Sequence, residues 1–253
     1  PIAMDVITGE DMKEYGKNDI AEILNNVSNV IINQAEDGLR VSIRGMSNDN
    51  APFGGMQVST PTVAVNKDGV YTNRNSGNTD MFDVERVEVL FGAQSTMYAS
   101  ASPGGIVNVV TANPKTDKDE ASGSLEYGNY NLLKTEGSMN APLSDIMAIR
   151  AAFSTNVHDG YLTNGGMDED SKAARIRALF KPSESISVIL TGELTRSGGQ
   201  GFASVVQFED QDDTDNPWTA TSDTPGNSML RDQKKAYANM DFGLGDFGTL
   251  SVV

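Results

Sequence analysis

The sequence predicts a mixed α/β domain followed by antiparallel strands of a transmembrane β-barrel. Three observations carry that reading. The first 114 residues mix short apolar strands, one helical stretch and two long polar loops. From residue 121 onward helical periodicity disappears, and apolar side chains recur at every second position over runs of about ten residues. The connections between those runs alternate between short turns and longer polar loops, as spanning strands of an outer-membrane barrel require.

Composition sets outer limits. The 253 residues carry 35 acids against 19 bases, a formal charge of -16. A nucleic-acid binder needs a basic face, so that class is excluded. There is no cysteine, which removes disulfides and thiolate metal sites. No run of about 18 apolar residues occurs, so no membrane-spanning helix is expected. The chain opens at Pro1 without a charged-then-apolar leader and stops at Leu250–Val253 inside a strand-like run. Both ends are expected to belong to a longer protein, and these residues alone are not expected to fold by themselves.

In the first half, Ile2–Ile7 reads as a strand. Asp19–Val27 reads as a short helix capped by Asn18, with Ile20, Ile23, Leu24 and Val27 on one face. Val30–Ile32 and Leu39–Ile43 are strand-like, and Gly45 ends the second. Residues 46–60 form a polar loop with Phe53 and Met56 as isolated apolar groups. Thr62–Val65 and Val70–Tyr71 bracket Asn66-Lys67-Asp68-Gly69, a strong hairpin signal. A second loop spans 72–79. Arg86–Leu90 and Ile106–Val110 are then the two apolar runs of the best-organised stretch. Gly104-Gly105 precedes the second run, allowing a tight turn and a backbone approach that a β-carbon would block.

A charged linker, 115–120, leads into the alternating half. Leu133–Met139, Met147–Val157, Ala174–Phe180, Ile186–Leu194 and Ala236–Phe242 each set apolar residues on one face. Arg150, Arg175, Arg177, Glu193 and Asp241 fall on the other. Short turns are expected at 141–145, 181–184 and 244–248, with one more near 129–131. Longer loops are expected at 159–171 and 197–234. A soluble β-sandwich also alternates, but its strands are about five or six residues long, with turns every 8–12.

At this point the residues resemble a known family, the TonB-dependent outer-membrane receptors. Residues 1–12 are similar to the first plug strand and Val41-Ser-Ile-Arg-Gly-Met46 to the Ile-Arg-Gly motif. Val63–Tyr71 is similar to the Asp-Gly-Val hairpin, and 86–98 with 103–111 to the most diagnostic run. Residues 125–130, 148–152 and 159–161 resemble recurring barrel segments. The resemblance implies a plug domain over 1–114, a linker over 115–120 and the N-terminal portion of a barrel over 121–253. That portion would hold six strands and the start of a seventh, in a barrel of about 22.

The implied function is active uptake of a scarce nutrient (siderophore, haem, cobalamin or oligosaccharide class) across a Gram-negative outer membrane. The implied partners are TonB, through a segment outside this sequence, the ligand, and outer-membrane lipid and lipopolysaccharide. No enzyme activity and no cofactor is expected. Ligand contacts fall to the plug loops, at Asn48, Asp49, Asn50, Phe53 and Met56 and at Arg74, Asn75 and Asn78, with Trp218 either stacking on ligand or anchoring its loop. Members of the family carry an arginine where this chain has Phe91. With Arg44 it is associated with a latch to barrel glutamates, and here only Arg44 is retained.

The acidic run 209–215 reads as an acidic loop, since the glycine and terminal glutamate of a calcium loop are missing. His158, the single histidine, has no evident ligand partners and reads as a polar residue near a strand end. The alternative function is a secreted or surface carbohydrate-binding β-protein without energy coupling.

Overall fold

The computed structural model describes residues 3–14, 24–35, 38–47, 62–72, 81–93, 102–200 and 228–253. The chain divides into two compact units, one over Pro1–Asn113 and one over Pro114–Val252.

In the first unit the strands are β1 (Met4–Thr8), β2 (Val30–Ala35), β3 (Gly38–Ile43), β4 (Met46–Ser47), β5 (Val63–Lys67), β6 (Val70–Tyr71), β7 (Val84–Phe91) and β8 (Gly105–Thr111). One sheet runs β1-β7-β8-β5-β6 and a smaller one β2-β3-β4. Within the first, β5 and β8 are parallel and the remaining pairs antiparallel. Valines at alternate positions supply the core. Val63 and Val65, Val87 and Val89, and Val107 and Val109 pack against Val30, Ile32, Val41 and Ile43 of the small sheet. Strand periodicity therefore delivers one aliphatic face from each sheet to a shared interior.

Two hairpins in this unit have two-residue loops with positive φ at both positions. Asp68 and Gly69 lie at 49° and 82°, Arg44 and Gly45 at 51° and 80°. This is the mirror-image turn whose twist matches the flanking strands. The expected four-residue turn at 66–69 is thus tighter, with Asn66 and Lys67 retained in β5. Asp68 is nearly buried, and its carboxylate accepts both the Thr111 backbone N–H (2.8 Å) and the Thr111 hydroxyl (2.7 Å). It ties the hairpin to the end of β8. Asp68→Asn replaces one acceptor oxygen by a donor, so we expect a loss of about 1–3 kcal/mol in the first unit. Hydrogen exchange at Thr111 checks this: unchanged protection there would refute it.

A six-residue helix, α1 (Gly9–Glu14), follows β1 and was not expected. Its start is a reciprocal cap, in which Thr8 N–H and Oγ1–H donate to Asp11 and the Asp11 N–H donates to Thr8 Oγ1. Those bonds hold the Asp11 carboxyl below its ordinary range. Most of the helix expected over 19–27 lies outside the described residues; Leu24 is helical, and residues 25–29 form turns and a bend.

The second unit is one antiparallel sheet in sequence order. Its strands are β9 (Glu120–Tyr127), β10 (Leu133–Ser144), β11 (Met147–His158), β12 (Glu169–Ser183), β13 (Ile186–Gly199), β14 (Met229–Gly243) and β15 (Thr249–Val252). Strands β10 and β12 continue through Pro142 and Pro182, where turns were expected. Register shifts at Pro142/Ser144 and Phe180/Ser183 accommodate the extra residues as bulges. Strands β13 and β14 also reach further into the expected loop, leaving 200–228 between them.

The two faces of this sheet are inverted relative to a water-soluble protein. Met139, Phe153, Ile176, Leu190 and Leu194 are 51–60% exposed, while Arg150, Arg175, Arg177 and Glu193 are at most 8% exposed. Large apolar groups outside and charges inside are what a bilayer solvent selects. The described strands of this unit form a single seven-stranded sheet rather than the two packed sheets of a sandwich. The apolar face is not free of charge, however. Asp170, Lys172, Arg196, Asp232 and Lys234 stand on it near the long-loop end, a departure from the expected pattern.

Candidate functional site

Of the residues expected to touch ligand, Asn48, Asp49, Asn50, Phe53, Met56, Arg74, Asn75, Asn78 and Trp218 all lie outside the described residues, as does the 209–215 run. Arg44 is described, and its surroundings start from glycine. A β-carbon on Gly105 would sit 2.4 Å from the Leu90 carbonyl oxygen and 3.1 Å from Ile43 Cδ1, and the residue's φ is +140°. One on Gly104 would sit 2.9 Å from Met46 Cβ and from the Thr62 carbonyl oxygen. The glycine pair is therefore the surface on which the β3–β4 hairpin packs. Gly105 pairs with Phe91 across β7–β8. Seating Ile43 on Gly105 brings its neighbour Arg44 to Phe91.

The Arg44 guanidinium lies over the Phe91 ring, 4.9 Å from its centroid. An aromatic face attracts a cation through its quadrupole. Phe91 accordingly orients Arg44 where a second arginine would repel it. Arg44 itself holds a left-handed backbone, a conformation costing a side-chain-bearing residue roughly 1–2 kcal/mol. Its N–H donates to the Asn29 carbonyl at 2.9 Å. The strain and the stacking together fix the direction of one cation. Phe91→Leu keeps the apolar volume but removes the quadrupole. It should cost roughly 0.5–1 kcal/mol and release Arg44 into several rotamers, visible as loss of a single guanidinium Nε–H resonance environment. An unchanged resonance would refute the stacking.

In the second unit the inward face carries an in-register row of charges. Arg175 pairs with Glu193, which pairs with Lys235. Arg175 Nε lies 2.7 Å from Glu193 Oε2, with both side chains at most 1% exposed, and Lys235 Nζ lies 4.0 Å from Glu193 Oε1. Nearer the short-turn end of the sheet, Glu120 gathers Lys115 and Lys118, and Arg150 approaches it at 3.5 Å. Asn140 fastens the linker to β10, accepting from the Lys115 N–H and donating to the Lys115 and Lys118 carbonyls.

Sequence reasoning missed a cluster at the long-loop end. His158 stacks on Tyr161 (4.8 Å, 18°), and Tyr130 meets Tyr161 edge-on at 4.7 Å. His158 Nε2 is 3.9 Å from Glu169, which also accepts from Asn156 Nδ2 at 2.9 Å. Burial, with the Glu169 charge and Tyr130, pushes the Tyr161 phenol above its ordinary range. The only hint in the sequence was three ring-bearing residues, Tyr130, His158 and Tyr161, placed at adjacent strand ends. Among the described residues no cluster of histidine and carboxylates suits a metal ion.

Comparison with known proteins adds the following. Residues 1–106 match the family model of the TonB-dependent receptor plug domain. An iron-regulated outer membrane virulence protein of Vibrio cholerae is 28% identical over 170 residues, covering 63% of this chain and 25% of that protein. The ferric enterobactin receptor PirA of Pseudomonas aeruginosa is 29% identical over 172 residues, covering 61% and 23%. The chain thus spans about a quarter of these curated relatives. Among solved structures, the ferric yersiniabactin uptake receptor FyuA of Yersinia pestis superposes with a TM-score of 0.78 at 16% identity, over 97% of this chain and 39% of that one. The siderophore receptor PiuA of Acinetobacter baumannii gives 0.74 at 19%, over 97% and 34%.

Proposed function

We propose that the chain carries a TonB-dependent receptor plug followed by antiparallel strands of an outer-membrane β-barrel, and that the whole protein takes up a ferric siderophore across the outer membrane, driven through TonB. In this reading residues 1–114 form the plug, 115–120 the linker, and 121–253 the N-terminal portion of the barrel. The observation that carries it is the inverted sheet of the second unit, which follows the first in sequence: apolar side chains outward and charges inward. A lipid-embedded wall with a polar lumen is built that way. The protein is not an enzyme.

The siderophore class rests on the names of the relatives, an iron-regulated outer membrane protein and a ferric enterobactin receptor. Ligand is assigned to the plug residues Asn48, Asp49, Asn50, Phe53, Met56, Arg74, Asn75 and Asn78, and to Trp218. Coupling to TonB is assigned to a segment of the full-length protein outside residues 1–253. Arg44 is assigned as the plug's half of a latch to barrel glutamates, with Phe91 orienting it in place of a second arginine. Outer-membrane lipid and lipopolysaccharide are the surrounding partners.

The test is radioactive iron uptake by cells whose only such receptor is the full-length protein. Ferric siderophores should enter in a TonB-dependent, uncoupler-sensitive manner. Uptake that persists without TonB sinks the coupling, and uptake of haem or cobalamin alone sinks the siderophore assignment. A full-length protein that stays soluble without detergent, with no heat-modifiable migration, favours the carbohydrate-binding alternative.

A further inference from the structure

Residues 115–119 lead into β9 without forming a strand of their own. They are wound around a single side chain. The Asn140 Oδ1 accepts from the Lys115 N–H at 2.9 Å, and its Nδ2 donates to the Lys115 carbonyl at 2.9 Å and to the Lys118 carbonyl at 2.7 Å. The carbonyl and both N–H groups of one amide are thus engaged by the backbone of two linker residues. Asn140 is 1% exposed, so water does not compete for those bonds.

Asn140 stands in register between Glu120 of β9 and Arg150 of β11. Its strand, β10, is paired on both flanks along Leu133–Asn140. Among the described residues β9 is paired on one flank only. A load arriving at Lys115 therefore passes through Asn140 into the interior of the sheet instead of onto the first residues of β9. The ions around Glu120 add little to that hold. Lys115 and Lys118 are 43% and 51% exposed, and pairs so open to water are weak and screened by salt.

We propose that Asn140 is a positioning residue for transport, setting the fixed end of the tether by which the plug is held when TonB draws on it. The moving part of the chain ends at Pro114, and residues 115–119 stay with the barrel. Without the clasp the fixed end retreats to Glu120, where β9 begins. That retreat releases five residues, roughly 17 Å of extended chain, and lets the plug travel further before the barrel resists it. The inference rests on the TonB-coupled reading and deepens it to one side chain.

The test is single-molecule pulling of the full-length protein in a lipid bilayer, from a handle at its N-terminus. In wild type the last extension before a barrel strand is lost should end at residue 114. In Asn140→Ala it should lengthen by roughly 17 Å, with the later barrel events unchanged. Lys115→Met/Lys118→Met removes the ion pairs but keeps the backbone bonds, so it should stop where wild type stops. A wild-type extension that already runs to residue 119, an Asn140→Ala extension of wild-type length, or a lysine variant that extends as far as Asn140→Ala would each overturn the proposal. The wild-type reading decides it even where Asn140→Ala fails to fold. Pulling requires no TonB, so uptake that persists without TonB fails the earlier reading separately.

Discussion

Gly105→Ala is expected to unseat the first unit by on the order of 3 kcal/mol. The added carbon would stand 2.4 Å from the Leu90 carbonyl oxygen, a backbone atom that cannot rotate away. It would also press on Ile43, one of the fully buried core residues. Relief requires β7 and β8 to separate or the β3–β4 hairpin to lift, and either motion carries Arg44 off Phe91. Gly92→Ala is the internal control. Gly92 also has positive φ, +84°, but nothing lies within 4 Å of its missing β-carbon. It should cost only about 1 kcal/mol, the left-handed penalty alone. Amide exchange across β7 and β8 in the full-length protein measures both, and equal losses in the two variants would show that steric approach is not the cause.

Glu193→Ala is expected to destabilise the second unit's sheet by about 3–5 kcal/mol. It removes the carboxylate 2.7 Å from a guanidinium that is itself 1% exposed. A buried cation stripped of its partner pays the full desolvation penalty, whereas replacing both members by apolar groups is far milder. The double variant Arg175→Leu/Glu193→Leu should therefore recover most of the loss. Urea-dependent loss of heat-modifiable migration in the full-length protein is the measurement. A double variant as weak as the single one would show that the row, not the pair, is what the fold depends on. Lys235, 4.0 Å away, makes that a genuine contest.

The separation of sequence from structure follows the reach of each interaction. The inverted sheet was legible because its signal has a period of two, and each strand repeats it for up to 15 residues. The plug hairpin at Asp68-Gly69 and the glycine pair at 104–105 were legible because backbone geometry at those positions depends on local residue type. The helix α1 was not, since six residues are too few to display a helical period. The expected turns at Pro142 and Pro182 failed for a related reason. Proline signals a break, but a bulge near a sheet's end absorbs one without ending the strand.

Of the candidate site, the sequence reached Arg44 and Phe91 separately and read Phe91 as a loss. Only the fold turns the substitution into a contact, because residues 47 positions apart meet through Ile43 on Gly105. The same holds for Arg175 with Glu193 and Lys235 and for His158 with Tyr161. Each depends on register, which moves a side chain by a whole position for every residue of slip. Residues 86–110 by themselves determined that a plug strand pair and a close glycine approach exist. What packs on that glycine, and which cation is aimed as a result, was decided by tertiary structure, since the space left by a missing β-carbon has meaning only once a neighbour fills it.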